Sequence, residues 1–129
     1  MNIYVDSSAL VKTIVEEAES PALNRYFADH PDDNHITSAV SRTELVRAAT
    51  RPGLLFDNAR HALARLNFIA ITTSILDTAA TLLPPELRTL DAIHLAAALV
   101  VPDLRAFVTY DRRLSVAATH AGLPVVSPA

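Results

Sequence analysis

Short apolar runs alternate along the chain with longer stretches of helical spacing. Asn2 to Val5 is apolar and short, as a buried strand is, and Ser7 to about Glu17 puts Leu10, Val11, Ile14 and Val15 on one face. Glu19 to Asp29 follows, with Pro21 in its first turn and Leu23, Tyr26 and Phe27 inward. The polar stretch His30 to Asn34 is a loop, and His35-Ile36-Thr37 a second strand. Ala39 to Thr50 has helical spacing and stops at Arg51-Pro52-Gly53. Another helix, Phe56 to Leu66, leads into the strand Phe68 to Ile71. Thr73 to Leu83 is a helix stopped by Pro84-Pro85, and Leu90 to Val100 is apolar on most sides, as a buried helix is. Ala106 to Thr109 is a strand, Arg112 to Ala121 a helix closed by Gly122, and Val125-Val126 a last strand. This alternation predicts a parallel sheet covered by helices on both faces.

At 129 residues the chain is expected to be one domain, spanning 1–129. No uncharged run approaches the ~18 apolar residues of a membrane span. The first apolar run is short, lacks a basic lead and ends at Asp6, which argues against a signal peptide. Without cysteine the chain has no disulfide, thiolate zinc site or cysteine nucleophile. The expectation is a cytoplasmic protein with no membrane contact.

Half of the residues are hydrophobic and 19% are charged, against ~25% in a typical domain. Part of the surface is therefore expected to lie under another chain, unless alanine-rich helices alone account for the excess. The net charge of −3 is unlike that of a nucleic-acid binder. Yet ten of the 11 basic residues are Arg, with Lys12 the exception, and Arg suits two-pronged phosphate contact. Acids that hold divalent cations also reverse the local field, so an RNA substrate stays open.

Four acids stand out by position: Asp6, Glu44, Asp91 and Asp111. Asp6 and Asp111 follow apolar strands, Glu44 lies among Val40, Leu45 and Val46, and Asp91 opens the most apolar helix. In a parallel α/β fold, side chains leaving the carboxyl ends of strands converge on one crevice. Carboxylates gathered there repel one another unless a cation neutralises them, which points to Mg²⁺ or Mn²⁺ acting on phosphate. Each acid also fits a structural role. Asp6 and Asp111 can cap the helices that follow, Ser41 with Glu44 matches a capping box, and Thr89 can cap the helix in which Asp91 sits early.

The segments Tyr4-Val5-Asp6-Ser7-Ser8-Ala9-Leu10-Val11-Lys12, Thr43-Glu44-Leu45, Arg88 to Ala98 and Val108-Thr109-Tyr110-Asp111-Arg112-Arg113-Leu114, with the ending Ala117 to Val126, carry a resemblance. In order and spacing the chain resembles PIN-domain proteins, specifically VapC-type toxin ribonucleases of type II toxin–antitoxin pairs, over essentially its whole length. The resemblance implies a three-layer α/β/α sandwich with a central parallel sheet of about five strands in the order 3-2-1-4-5. It implies a Mg²⁺- or Mn²⁺-dependent endoribonuclease using one or two ions. The catalytic acids fall on Asp6, Glu44, Asp91 and Asp111, with Asp6, Asp91 and Asp111 as metal ligands and Glu44 acting through water or by orienting a ligand. Ser7 and Thr109 are expected to hold a water or carboxylate in place. Lys12, Arg88, Arg112 and Arg113 are candidates for RNA contact, each with a solvated or surface role as the alternative. Some relatives carry a further acid after the position of Asp111; here Arg112 and Arg113 follow instead. His94, one turn after Asp91, faces either the cleft or the core. Partners implied are a cognate VapB-type antitoxin, a second copy in a homodimer, and a heterotetramer or larger assembly of the two.

Competing readings fare less well. A receiver-like phosphotransfer module needs adjacent acids after its first strand and a late Lys, and a haloacid-dehalogenase-like site needs an Asp where Ser8 stands. A catalytically silent PIN-like scaffold binding RNA or protein is the alternative from a different class.

Overall fold

The computed structural model describes residues 1–50 and 56–129; the expected stop at Arg51-Pro52-Gly53 falls outside them. Five strands and seven helices alternate among the described residues. They are β1 (Asn2–Val5), α1 (Ser7–Ile14), α2 (Ser20–Ala28), β2 (Asn34–Ser38), α3 (Val40–Ala48), α4 (Phe56–Ala64), β3 (Asn67–Ile69), α5 (Thr73–Ala80), α6 (Thr89–Leu99), β4 (Leu104–Val108), α7 (Arg112–His120) and β5 (Val125–Val126). All pairings are parallel and the strand order is β3-β2-β1-β4-β5. The α/β/α sandwich expected from the sequence is present. Among the described residues no helix is long and apolar enough to cross a membrane.

Alternation along the central strands sorts the two cores. Ile3, Val5, Ala106 and Val108 meet Ala9, Leu10, Leu23 and Leu45 on one face of the sheet. Tyr4 and Phe107 meet Leu95, Ala98, Leu114 and Ala118 on the other. A strand covered on both sides needs apolar residues on both faces, as in Ile3-Tyr4-Val5 of β1 and Ala106-Phe107-Val108 of β4. The small side chains Ala96, Ala97 and Ala98 let α6 lie buried along most of its length.

Several elements end earlier than the apolar pattern alone suggests, each for a local reason. Helix α1 stops at Ile14 because Ser20 intervenes. Its hydroxyl donates to the carbonyls of Lys12 (2.8 Å) and Val15 (3.2 Å) and accepts from the Glu17 amide. That satisfies carbonyls a helix end leaves open. Strand β3 stops at Ile69 because its partner β2 ends opposite it at Ser38, and Ala39 donates to the Ile69 carbonyl as the chain turns into α3. At the far end of α7, Gly122 adopts φ +88°, and the Leu123 amide returns to the Ala118 carbonyl at 3.0 Å. This is the left-handed closure that glycine makes without steric cost.

The amino-terminal edge of the sheet is tied by charge. Asp33 accepts from the α-amino group of Met1 at 3.0 Å and from Arg105 on β4. The Arg105 guanidinium holds the Asp33 carboxyl down to about 2. A depressed folded pKa adds stability that is complete above the unfolded value of ~3.9 and disappears as pH falls through the folded one. Asp33→Asn should therefore lower the melting temperature at pH 7, by a margin that shrinks steadily as pH falls from about 4 through about 2. Thermal melts followed by circular dichroism across that range check the trend.

Candidate active site

The order β3-β2-β1-β4-β5 makes β1 and β4 neighbours whose connections run to opposite sides of the sheet. The crevice beyond their carboxyl ends is where ligands settle in such sheets. Asp6 follows β1 there, and its amide continues the ladder by donating to the Val108 carbonyl at 3.1 Å. A cleft of about 440 Å³ opens at this point, lined by Asp6, Ser7, Ser8, Glu44, Arg88, Asp91 and Asp111 among others. The structure thus brings all four singled-out acids to one cavity, from β1, α3, α6 and the start of α7.

Asp6 is 2% exposed. Its Oδ1 accepts from Ser8 Oγ (2.7 Å) and the Ala9 amide (3.0 Å), and its Oδ2 from Thr109 Oγ1 (2.5 Å). The Ala9 bond is a helix cap, so Asp6 is both cap and cleft residue. Burial pushes its carboxyl above the ordinary value, with the bonds from Thr109, Ser8 and Ala9 pulling the other way. Ser8 and Thr109 are themselves anchored. Ser8 accepts from the Tyr110 amide at 3.0 Å, and Thr109 from the Asp111 amide at 3.1 Å.

Glu44 is held from two sides. Ser7 Oγ donates to its Oε2 at 3.0 Å, and His94 Nε2 lies 2.7 Å from its Oε1. His94, 1% exposed, is also 2.7 Å from the Tyr4 hydroxyl through Nδ1. The Ser38 amide can only donate, and it does so to Tyr4 Oη at 3.1 Å. The imidazole thus bridges the Tyr4 hydroxyl at Nδ1 and the Glu44 carboxylate at Nε2. Tyr4 stacks on Phe107 with ring planes 8° apart, which fixes the hydroxyl. The Ser41–Glu44 capping box is not formed. Ser41 pairs with Thr37 Oγ1 at 2.7 Å, leaving Glu44 free for the cleft.

Asp91 and Asp111 share a partner. Arg88 Nε donates to Asp91 Oδ2 at 3.1 Å and Arg88 Nη2 to Asp111 Oδ2 at 2.9 Å. Asp111 Oδ1 accepts from the Leu114 amide at 3.0 Å and caps α7. Thr89 is not the cap of α6. That position is taken by Arg88, whose side chain makes no cap bond, and Thr89 is already helical.

The remaining candidates lie apart. The Lys12 ammonium pairs with Glu19 at 2.9 Å and Glu17 at 3.7 Å and lies over the Tyr110 ring. Arg112 and Arg113 are exposed and line a neighbouring groove with Pro84, Leu87 and Val116 rather than the acidic cleft. Sequence reasoning gave neither Ser8 nor Tyr4 a task. The one available signal was a hydroxyl-bearing aromatic at the centre of an otherwise aliphatic buried strand, which needs a polar partner.

Among the described residues, no three Asp, Glu or His side chains are drawn close enough together to hold one ion. The donors that face the cleft are carboxylate and hydroxyl oxygens, the set that hard divalent cations prefer. Mg²⁺ in particular takes one or two carboxylates and completes its shell with water. The residues present suit such an ion by donor chemistry.

The family model described as PIN domain matches residues 3–119. Ribonuclease VapC46 of Mycobacterium tuberculosis is 46% identical over 129 residues, covering 98% of this chain and 97% of that protein. This chain belongs to the VapC-type PIN domain family. Ribonuclease VapC35 of the same organism is 45% identical over 132 residues, covering 98% of this chain and 96% of that protein. Among solved structures, M. tuberculosis VapC20, described as a Sarcin–Ricin loop cleaving toxin, superposes with a TM-score of 0.73 at 19% identity. It covers 98% of this chain and 99% of its own, a likeness of fold. The VapC-type fold therefore runs the length of the chain, with its strand ends carrying the acidic cleft.

Two outcomes follow for this VapC-type protein. A carboxyl whose folded pKa is raised favours folding most at low pH and opposes it as pH rises through that value. Asp6→Asn keeps an acceptor for the Ala9 amide and sheds the buried charge. It should stabilise the protein at pH 7–8 by roughly 1 kcal/mol, a common gain where active-site strain is relieved, and the gain should shrink toward pH 4. Tyr4→Phe orphans the Ser38 amide and His94 Nδ1 and should cost about 1–3 kcal/mol. Urea unfolding of both variants measures these differences.

Proposed function

We propose that this protein is a Mg²⁺- or Mn²⁺-dependent endoribonuclease, the toxin of a toxin–antitoxin pair. The observation that carries the reading is the gathering of Asp6, Glu44, Asp91 and Asp111 around one cleft at the β1/β4 switch point. The Ribonuclease VapC46 and VapC35 names of its relatives support RNA as the substrate. In this reading Asp6, Asp91 and Asp111 bind the cation directly or through its waters. Glu44, fixed by Ser7 and His94, orients a water for the phosphodiester. A bound divalent ion supplies a more acidic water and neutralises charge on the phosphoryl oxygens. Ser8 and Thr109 keep the Asp6 carboxylate aimed while its surroundings exclude solvent.

A VapB-type antitoxin is the partner we assign, with a second copy of this chain in a homodimer and larger assemblies of both. Support comes from the low charge content and from exposed apolar side chains such as Leu83 (71%), Val116 (58%) and Leu90 (47%). Leu90 lies at the rim of the acidic cleft, where a covering segment would also exclude substrate.

The test is cleavage of total cellular RNA by purified, antitoxin-free protein with Mg²⁺ or Mn²⁺, beside Asp91→Asn and an EDTA control. Discrete fragments from the wild type are expected, with loss of roughly two orders of magnitude or more in the variant and complete loss in EDTA. RNA binding without cleavage in any metal would instead identify a silent scaffold.

A further inference from the structure

Among the described residues that line the acidic cleft, Arg88 is the basic one. It stands at the cap position of α6 on extended backbone (φ −62°, ψ 148°), and its side chain is 70% exposed. Its guanidinium nevertheless joins two acids from different elements, Asp91 on α6 and Asp111 ahead of α7. Two carboxylates of one cavity repel each other, and a positive charge between them removes that repulsion. The other two acids are served by groups of the core: hydroxyls and an amide for Asp6, Ser7 and the His94 imidazole for Glu44. Thus the cleft divides into a pair fixed by groups of the core and a pair fixed by one solvent-facing side chain.

The oxygens involved make this a contest. Asp111 Oδ1 is committed to the Leu114 amide that starts α7. Its remaining oxygen, Oδ2, is the one Arg88 holds. A divalent ion that draws on Asp111 meets first the oxygen turned to the cleft, the one Arg88 holds. Two cations on one carboxylate oxygen repel at short range, so the ion and the guanidinium compete for it. Exposed ion pairs are individually weak and a long side chain readily leaves, so the exchange is accessible.

We propose that Arg88 is a built-in counter-cation: it holds Asp91 and Asp111 in register and is displaced when a divalent ion enters the cleft. The inference rests on the metal-dependent reading of this site. Arg88 thereby sets the metal concentration at which the site fills, and keeps the acids paired below it.

Mn²⁺ binding to the full chain, read from the electron paramagnetic resonance signal of the free ion, tests this without reference to turnover. Wild type, Arg88→Gln, Arg88→Lys and Asp91→Asn are compared, with thermal melts to verify folding. Arg88→Gln should bind Mn²⁺ about three- to tenfold more tightly than wild type, as expected when an exposed competing ion pair is removed. Arg88→Lys, a point charge without the two-pronged reach, should fall between them, and Asp91→Asn should lose binding. Equal or weaker binding by folded Arg88→Gln, with binding still lost in Asp91→Asn, overturns the counter-cation role and leaves the metal site standing. No Mn²⁺ binding by either wild type or Arg88→Gln removes both.

Discussion

The buried carboxylate of Asp6 is the constraint around which the rest of the molecule is arranged. An ionised group that is 2% exposed must be met by donors or it opposes folding. Its three donors are the Ala9 amide, the first exposed end of α1, and two hydroxyls, Ser8 and Thr109, which belong to α1 and to the residue after β4. Each hydroxyl is then oriented by a backbone amide of the β4–α7 turn, Tyr110 for Ser8 and Asp111 for Thr109. One charge therefore fixes the register of two strands and the take-off of two helices. The turn so fixed carries Asp111. The geometry of a second cleft acid is a consequence of satisfying the first.

A separate relay reaches the same cleft through the other core. Tyr4 points to the face opposite Ile3 and Val5, and there its hydroxyl gathers the Ser38 amide at the end of β2 and the imidazole of α6. His94 passes that order to Glu44 on α3. Helix α6 can lie close enough for this because its buried stretch is built largely of alanine. The apolar character of α6 and the fixed position of Glu44 are thus two sides of one packing arrangement. The four cleft acids are held by elements of the core: Asp6 just past β1, Asp111 between β4 and α7, Glu44 in the middle of α3 and Asp91 in the first turn of α6. The Arg88 side chain faces solvent instead, and its freedom is what an exchangeable cation needs.

Much of this was legible in the sequence, and what was not has a physical cause. The strands followed from short continuous apolar runs, because the sheet is covered on both faces, and the helices other than α6 from period-3.6 patterns, because each is covered on one. The ends were less legible. Ser20 stops α1 through its hydroxyl, and β3 ends where β2 leaves it, and neither signal is local to the segment it limits. The acids drew notice because each interrupts an apolar run. Their partners did not, since a serine after an aspartate and a tyrosine in a strand acquire meaning only when β4 and α6 arrive from a hundred residues away. The Ser41–Glu44 pair shows the opposite error. Its local spacing matched a capping box, but a buried Thr37 hydroxyl competed for Ser41 and won.

Helix caps and catalytic acids are usually weighed as rival explanations for an aspartate after a strand. In this molecule the cap position and the acidic cleft coincide for a geometric reason. A parallel strand that ends at the switch point hands the chain directly to a helix, so the cap position and the crevice are the same place. A cap uses one carboxylate oxygen, and at Asp111 that leaves the other turned to the cleft. At Asp6 the cap takes Oδ1, and Oδ2 accepts a single hydroxyl. Capping fixes the rotamer, and a fixed rotamer is what a metal ligand needs. The cap thus presents each acid to the cleft in a fixed orientation, as the proposed metal-ligand role requires. Glu44 and Asp91, which make no such cap bond, depend instead on side-chain partners, His94 and Ser7 in one case and Arg88 in the other.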